Sequence, residues 1–186
     1  MKKFFLLLTI FGIGFTASAQ QRATDLDKSP LDVTYFPPNF PILKMRGQVT
    51  GDPLARVLYS RPQKKGRSIF GNEVKYNEVW RLGANEATEI ELFKNATVGG
   101  KKIPKGKYSL FCIPTETKWT LIFNKDNFNW GSFMYKAEKD VARIEVPVKS
   151  NNENVEAFTM FFENSGGNQL VILWDELKAT VPISFN

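Results

Sequence analysis

Tyr108-Ser109-Leu110-Phe111-Cys112-Ile113, a polar break at Pro114-Thr115-Glu116-Thr117-Lys118, and then Trp119-Thr120-Leu121-Ile122-Phe123 is the stretch that decides the fold. Each run is short, rich in aromatic and β-branched residues, and apolar at consecutive positions rather than at helical spacing. Such runs read as central strands covered on both faces, with turn chemistry between them. Just upstream, Ile103-Pro104-Lys105-Gly106-Lys107-Tyr108 has the form of a tyrosine corner, in which the hydroxyl ties a strand crossing to nearby backbone. Tyr108 is therefore read as structural.

Outward from this pair the same grammar continues. Glu89-Ile90-Glu91-Leu92 alternates acids with apolar residues; Ala142, Ile144, Val146 and Val148 alternate with Arg143, Glu145 and Pro147; Val181, Ile183 and Phe185 alternate with Thr180, Pro182 and Ser184. Period-two alternation marks half-buried strands. Residues 158–162 and 170–174 are apolar on both faces and read as further central strands, separated by Asn164-Ser165-Gly166-Gly167-Asn168. No stretch carries a long 3.6-residue period, and residues 72–82 are the one place compatible with a short helix. The expectation is an all-β antiparallel sandwich, Greek-key or jelly-roll-like, with at most one or two short helices. An outer-membrane barrel fits less well. Its strands need about 9–11 residues, and two-faced apolar runs do not suit a water-filled lumen.

The chain opens with Met1-Lys2-Lys3, an apolar stretch over residues 4–15, and Ala17-Ser18-Ala19. Positive charge, a short apolar segment and a small-residue cleavage site compose a secretory signal peptide over residues 1–19. The apolar run is too short for a membrane anchor, which needs about 20 residues. The mature protein is expected to begin at Gln20 and to reside in the periplasm or outside the cell, with no membrane span. Residues 20–42 read as a partly disordered, proline-rich leader. Within it residues 32–36 suit an extended strand, and Pro37-Pro38-Asn39-Phe40-Pro41 breaks regular structure. A single domain follows over residues 43–186.

Composition excludes more than it identifies. The formal net charge of +6 falls by two to +4 after cleavage, because residues 1–19 carry Lys2 and Lys3 and no acid. The remaining charge is dispersed, whereas nucleic-acid binding needs a concentrated basic face. There is no histidine, so the usual Ser-His-Asp and Cys-His nucleophiles and histidine-ligated metal sites are out of reach. Cys112 is the only cysteine; it cannot build a thiolate cluster, and its apolar strand predicts a buried, inert thiol. Asn124, Asp126, Asn127 and Asn129 lack calcium-loop spacing and read as a polar hairpin loop. No cofactor and no metal is expected.

Two segments break the strand pattern. They are Tyr59-Ser60-Arg61-Pro62-Gln63-Lys64-Lys65-Gly66-Arg67-Ser68-Ile69-Phe70-Gly71 and Val79-Trp80-Arg81-Leu82-Gly83-Ala84-Asn85-Glu86-Ala87-Thr88. Arg61, Arg67 and Arg81 offer planar donor forks for carboxylate or phosphate. Asn85 and Glu86 add an amide and a carboxylate, and Trp80 and Trp130 add flat apolar platforms. Convergence of such groups is what a small-molecule site needs. The competing reading has the arginines paired internally with glutamates and the tryptophans in the core.

These residues resemble an uncharacterised bacterial family known as domain of unknown function 2911. The likeness rests on Ser60-Arg61-Pro62, Gly66-Arg67, Ile69-Phe70-Gly71, Val79-Trp80-Arg81 and above all Gly83-Ala84-Asn85-Glu86-Ala87-Thr88. It continues through residues 104–114, Trp119, Trp130-Gly131 and Tyr135. It implies an exported domain and supplies no activity. Leu82 stands where the family's string usually has threonine.

Three functions compete. The first is a non-catalytic envelope module binding a glycan or anionic small molecule at Arg61, Arg67, Trp80, Arg81, Asn85, Glu86 and Trp130. The second is a glycosidase-like hydrolase using Glu86 with Glu73, Glu78 or Glu89 as the second carboxyl. The third is a structural domain whose strand edges meet a partner chain. The first is the favoured reading.

Overall fold

The structure, a computed structural model, describes residues 26–186; the expected signal segment and its cleavage site lie outside them. The elements are β1 (Leu31–Phe36), α1 (Phe40–Met45), β2 (Ala55–Ser60), β3 (Thr88–Leu92), β4 (Ala96–Val98), β5 (Lys101–Ile103), β6 (Gly106–Pro114), β7 (Lys118–Asn124), a single 3-10 turn (Ala137–Lys139), β8 (Asp140–Glu163) and β9 (Gln169–Phe185). The strands form one antiparallel sheet in the order β1-β2-β3-β6-β7-β8-β9-β4-β5. No helix among the described residues is long and apolar enough to cross a membrane.

The expected all-β antiparallel fold is what the chain adopts, as one hydrogen-bonded sheet that curls over on itself. The two long strands do the folding. The β8–β9 ladder slips register between Ser150 and Val155 and again between Val155 and Thr159. Extra residues of this kind bend a strand and raise its twist. The first part of β8 pairs with β7, and the part beyond the bend swings back towards the opposite edge of the sheet. There Tyr59 Oη donates to the Met160 carbonyl at 3.0 Å, and Gln63 bridges Ala157.

The core lies inside the curl. Ala55, Val57 and Tyr59 of β2, Ile90 and Leu92 of β3, Leu121 and Phe123 of β7, and Phe158, Met160 and Phe162 of β8 all point into it. Three indoles, Trp80, Trp119 and Trp174, meet there with Phe70 and Phe158, at centroid separations of 5.1–6.2 Å. The opposite face of β6 and β7 is covered too. Phe111, Ile122 and Ala87 form a small second cluster under Tyr135, from the loop after β7. That loop is why the opening pair of strands is apolar on both faces. The tyrosine corner is present, with Tyr108 Oη donating to the Pro104 carbonyl at 2.8 Å, and Cys112 is fully buried.

Three details differ from the sequence reading. Residues 31–36, placed in the leader ahead of a domain beginning at residue 43, pair with β2 along their whole length and bury Phe36. Proline did not prevent α1. Pro41 sits in the first turn, where its missing N–H costs no hydrogen bond. Residues 72–82 form turns and isolated bridges, not a helix, because Trp80 pairs with Cys112 and Val74 with Phe70.

Candidate functional site

The site is assembled by β6. Cys112 and Trp80 exchange both backbone hydrogen bonds, at 2.7 and 2.8 Å, which fixes Trp80 beside a central strand and sends its indole into the core. Arg81 follows at the rim. The chain then turns sharply: Leu82 has φ 55° and Gly83 φ 153°. A Cβ on Gly83 would lie 3.1 Å from the Ser60 carbonyl oxygen, so glycine is required where the turn crosses the end of β2. Thr88 Oγ1 donates to the Leu82 carbonyl at 2.6 Å and closes the turn. The loop after β7 docks on it through Ala87 N to the Asn129 carbonyl and Gly131 N to the Asn85 carbonyl, both 2.9 Å.

Between this turn and the loop after β2 lies an open cavity of about 320 Å³, lined by Arg67, Trp80, Arg81, Asn85, Glu73 and Trp174, among others. Four of the residues singled out from sequence converge on it: Arg67, Trp80, Arg81 and Asn85. Their situations differ. Arg67 is spent on its own loop: Nε donates to the Lys64 carbonyl, Nη2 to the Gln63 carbonyl, and Nη1 meets Glu73 at 2.9 Å. Trp80 is buried and donates Nε1–H to the Gly83 carbonyl at 3.1 Å. Asn85 donates to Asp27 Oδ1 at 2.9 Å, which draws the segment before β1 along the cavity, where Ser29 also lies.

Of these four, Arg81 alone is uncommitted among the described residues. Its Nε is buried with no hydrogen-bond partner among the described residues. Its guanidinium enters none of the ion pairs among the described residues. Burial pulls its pKa down from the ordinary arginine value, yet guanidinium stays charged in proteins. With Glu73 held by Arg67, the cavity wall carries one uncompensated positive charge. A desolvated Nε–H without a partner is costly to maintain, and the guanidinium that carries it is matched by a carboxylate or phosphate.

Arg61, Glu86 and Trp130 lie elsewhere. Arg61 pins β2 to β8, with Nε to the Phe158 carbonyl at 3.1 Å, Nη1 to Asp32 at 3.0 Å and Nη2 to Thr159 Oγ1 at 2.9 Å. Glu86 is exposed and lines a separate cleft with Glu89. Trp130 is bridged to Glu86 through the backbone and is 61% exposed, so it is not core. Leu82 is wholly buried in the core and lines neither the cavity nor the cleft, so the departure from threonine leaves the cavity wall untouched. Sequence reasoning missed Trp174, which sits in an apolar strand with nothing to set it apart, and Glu73, weighed only as a catalytic partner. Among the described residues no group of three or more Cys, Asp or Glu is placed to hold a metal ion.

No curated protein and no solved structure matches the chain. A family model does, over residues 43–183, a span that holds the arginine loop, the Gly83–Thr88 turn and the strands that carry them. The chain belongs to the family described as "Protein of unknown function (DUF2911)".

Proposed function

We propose that this protein is a non-catalytic binding module, working outside the cytoplasm, that takes a small anionic molecule of about monosaccharide size, sugar acids and sugar phosphates included. One observation carries the reading: Arg81 offers a guanidinium with no partner among the described residues at an open cavity that Trp80 and Trp174 also line. The volume of about 320 Å³ lies at the lower end of small-molecule sites, and a lining of charged and polar side chains beside two indoles suits a polar, anionic ligand. Arg81 takes the charge, Asn85 and Ser29 supply neutral hydrogen-bonding groups, and Arg67 with Glu73 holds the rim.

Trp80 and Trp174 line the cavity, so their fluorescence reports its occupancy. In a Trp130→Phe background, titration with glucuronate, glucose 6-phosphate and uncharged glucose should give a saturable change with the two anions only. Arg81→Met should abolish it. No saturable anion response, or an unchanged one in Arg81→Met, rejects the reading. For the export half of the proposal, mass analysis of the expressed full chain should give a product beginning at Gln20; a chain retaining Met1 in the cytoplasm rejects that half.

A further inference from the structure

The Gly83–Thr88 turn has a second side. Gly83, Ala84 and Asn85 line the arginine cavity, whereas Glu86 and Ala87 line a different cleft, of about 210 Å³, on the outer face of β1, β2 and β3. Leu31, Leu58, Ala87 and Phe128 give this cleft apolar walls. The register explains the composition: Leu31 lies opposite Ser60, Val33 opposite Leu58, and Leu58 opposite Glu89. One face of the sheet edge therefore presents an apolar stripe ending against acids.

Two features separate this cleft from an ordinary surface dip. First, its lining residues include two carboxylates, Glu86 and Glu89, against one bordering cation, Lys107, whose Nζ lies 5.4 Å from the centroid of the Phe128 ring. Glu89 meets Lys107 only loosely, at 3.7 Å, and Glu86 enters no ion pair among the described residues. Second, Ser60 lines the cleft, is 1% exposed, and its Oγ has no hydrogen-bond partner among the described residues. A buried unpartnered hydroxyl costs about 1–3 kcal/mol. Ser60 lies two residues beyond Leu58, the partner of Glu89 at the end of the β2–β3 ladder, and Ser60 and Glu89 line the same cleft. Phe128 overhangs the cleft from a backbone at φ 64°, a conformation bulky residues rarely hold, with its ring 81% exposed.

We infer a second binding site here, for a small amphiphilic amine. The hydrocarbon lies against Leu31, Leu58, Ala87 and Phe128, and the ammonium sits between Glu86 and Glu89 with Ser60 Oγ as a further acceptor. This site selects the charge opposite to that of the arginine cavity, and it does not depend on that cavity being occupied.

The test uses three probes of equal chain length, octylammonium, octanol and octanoate, with calorimetry and amide NMR on the full chain after processing. Octylammonium should bind about tenfold more tightly than octanol, with octanoate weakest, and should move the amides of Leu58, Ser60 and Ala87. Glu86→Gln, an exposed position that leaves the fold intact, should lose most of the preference for the amine over the alcohol. Leu58→Lys, which places an ammonium in the cleft, should abolish amine binding. Equal binding of all three probes, no binding of any, or an unchanged amine preference in Glu86→Gln overturns the inference.

Discussion

Arg61 and Arg81 are twenty residues apart in sequence and look alike there, yet the structure gives them opposite energetic roles, and replacing each by methionine separates them. Methionine keeps most of the apolar stem and removes the donors. At Arg61 three bonds are lost. The Asp32 pair joins side chains that are 35% and 40% exposed, so solvent screening limits it to about 0.5 kcal/mol. The bonds to the Phe158 carbonyl and to Thr159 Oγ1 contribute about 1 kcal/mol each. Arg61→Met should therefore lose about 2–3 kcal/mol, seen as a fall in melting temperature of about 4–12 °C. At Arg81 no bond to a described residue is lost, and a buried Nε–H without a partner among them is removed. Relief of that desolvation, offset by some lost packing, should leave Arg81→Met at least as stable as the parent, or more stable by up to about 1 kcal/mol. Stabilisation on removing a group is the usual sign of a residue kept for binding. Paired urea melts at equal slope measure both. A loss above about 1 kcal/mol in Arg81→Met, comparable with Arg61→Met, would refute the reasoning, because it would make Arg81 a structural arginine.

Gly99→Ala should cost about 2–4 kcal/mol in a thermal or urea melt, since its Cβ would lie 2.2 Å from Ile144 Cγ2 at φ 51°; a loss below 1 kcal/mol contradicts the packing described. Cys112 is fully buried and burial pushes its thiol pKa well up, so a thiol reagent at pH 8 should label it only at the rate of unfolding; prompt stoichiometric labelling of the folded protein would be wrong for this structure. Burial first, and then its hydrogen bond to Asp140, push the Tyr135 pKa up to about 12. The folded state thus holds its proton after the unfolded chain has released it at about pH 10. The resulting stability is fully present below pH 10 and is lost as pH rises from about 10 to 12. Tyr135→Phe should lessen that alkaline loss. Part of it remains, because Tyr59 and Tyr108 shift in the same direction; an identical alkaline profile in the variant argues against the Tyr135 environment.

Strand content, the central pair β6–β7, the tyrosine corner and the buried thiol are all legible because they depend on residues adjacent in sequence. Period-two alternation, turn residues and a proline four positions before a tyrosine are local signals. Curling of the sheet is not, since the bend arises where β8 slips against β9 between Ser150 and Thr159, and nothing in Asn151-Asn152-Glu153-Asn154 announces how many residues will be unpaired. Convergence of Arg67, Trp80, Arg81 and Asn85 was legible as composition alone. Which arginine stays free was hidden, because it depends on partners about a hundred residues away: Phe158 and Thr159 claim Arg61, whereas no such group among the described residues reaches Arg81. Glu86 and Asn85 are neighbours in the chain and fall on opposite sides of one turn, so a reading by proximity in sequence merges two clefts that the fold keeps apart.

Nitrogen-15 NMR of the arginine side chains, followed during titration with glucuronate, watches the decisive group itself. The Arg81 Nε–Hε signal should move and saturate with the anion while that of Arg61 stays in place. An Arg81 signal that holds still across the whole titration would mean that this guanidinium meets no anion in the cavity, and the binding function proposed for it would fall.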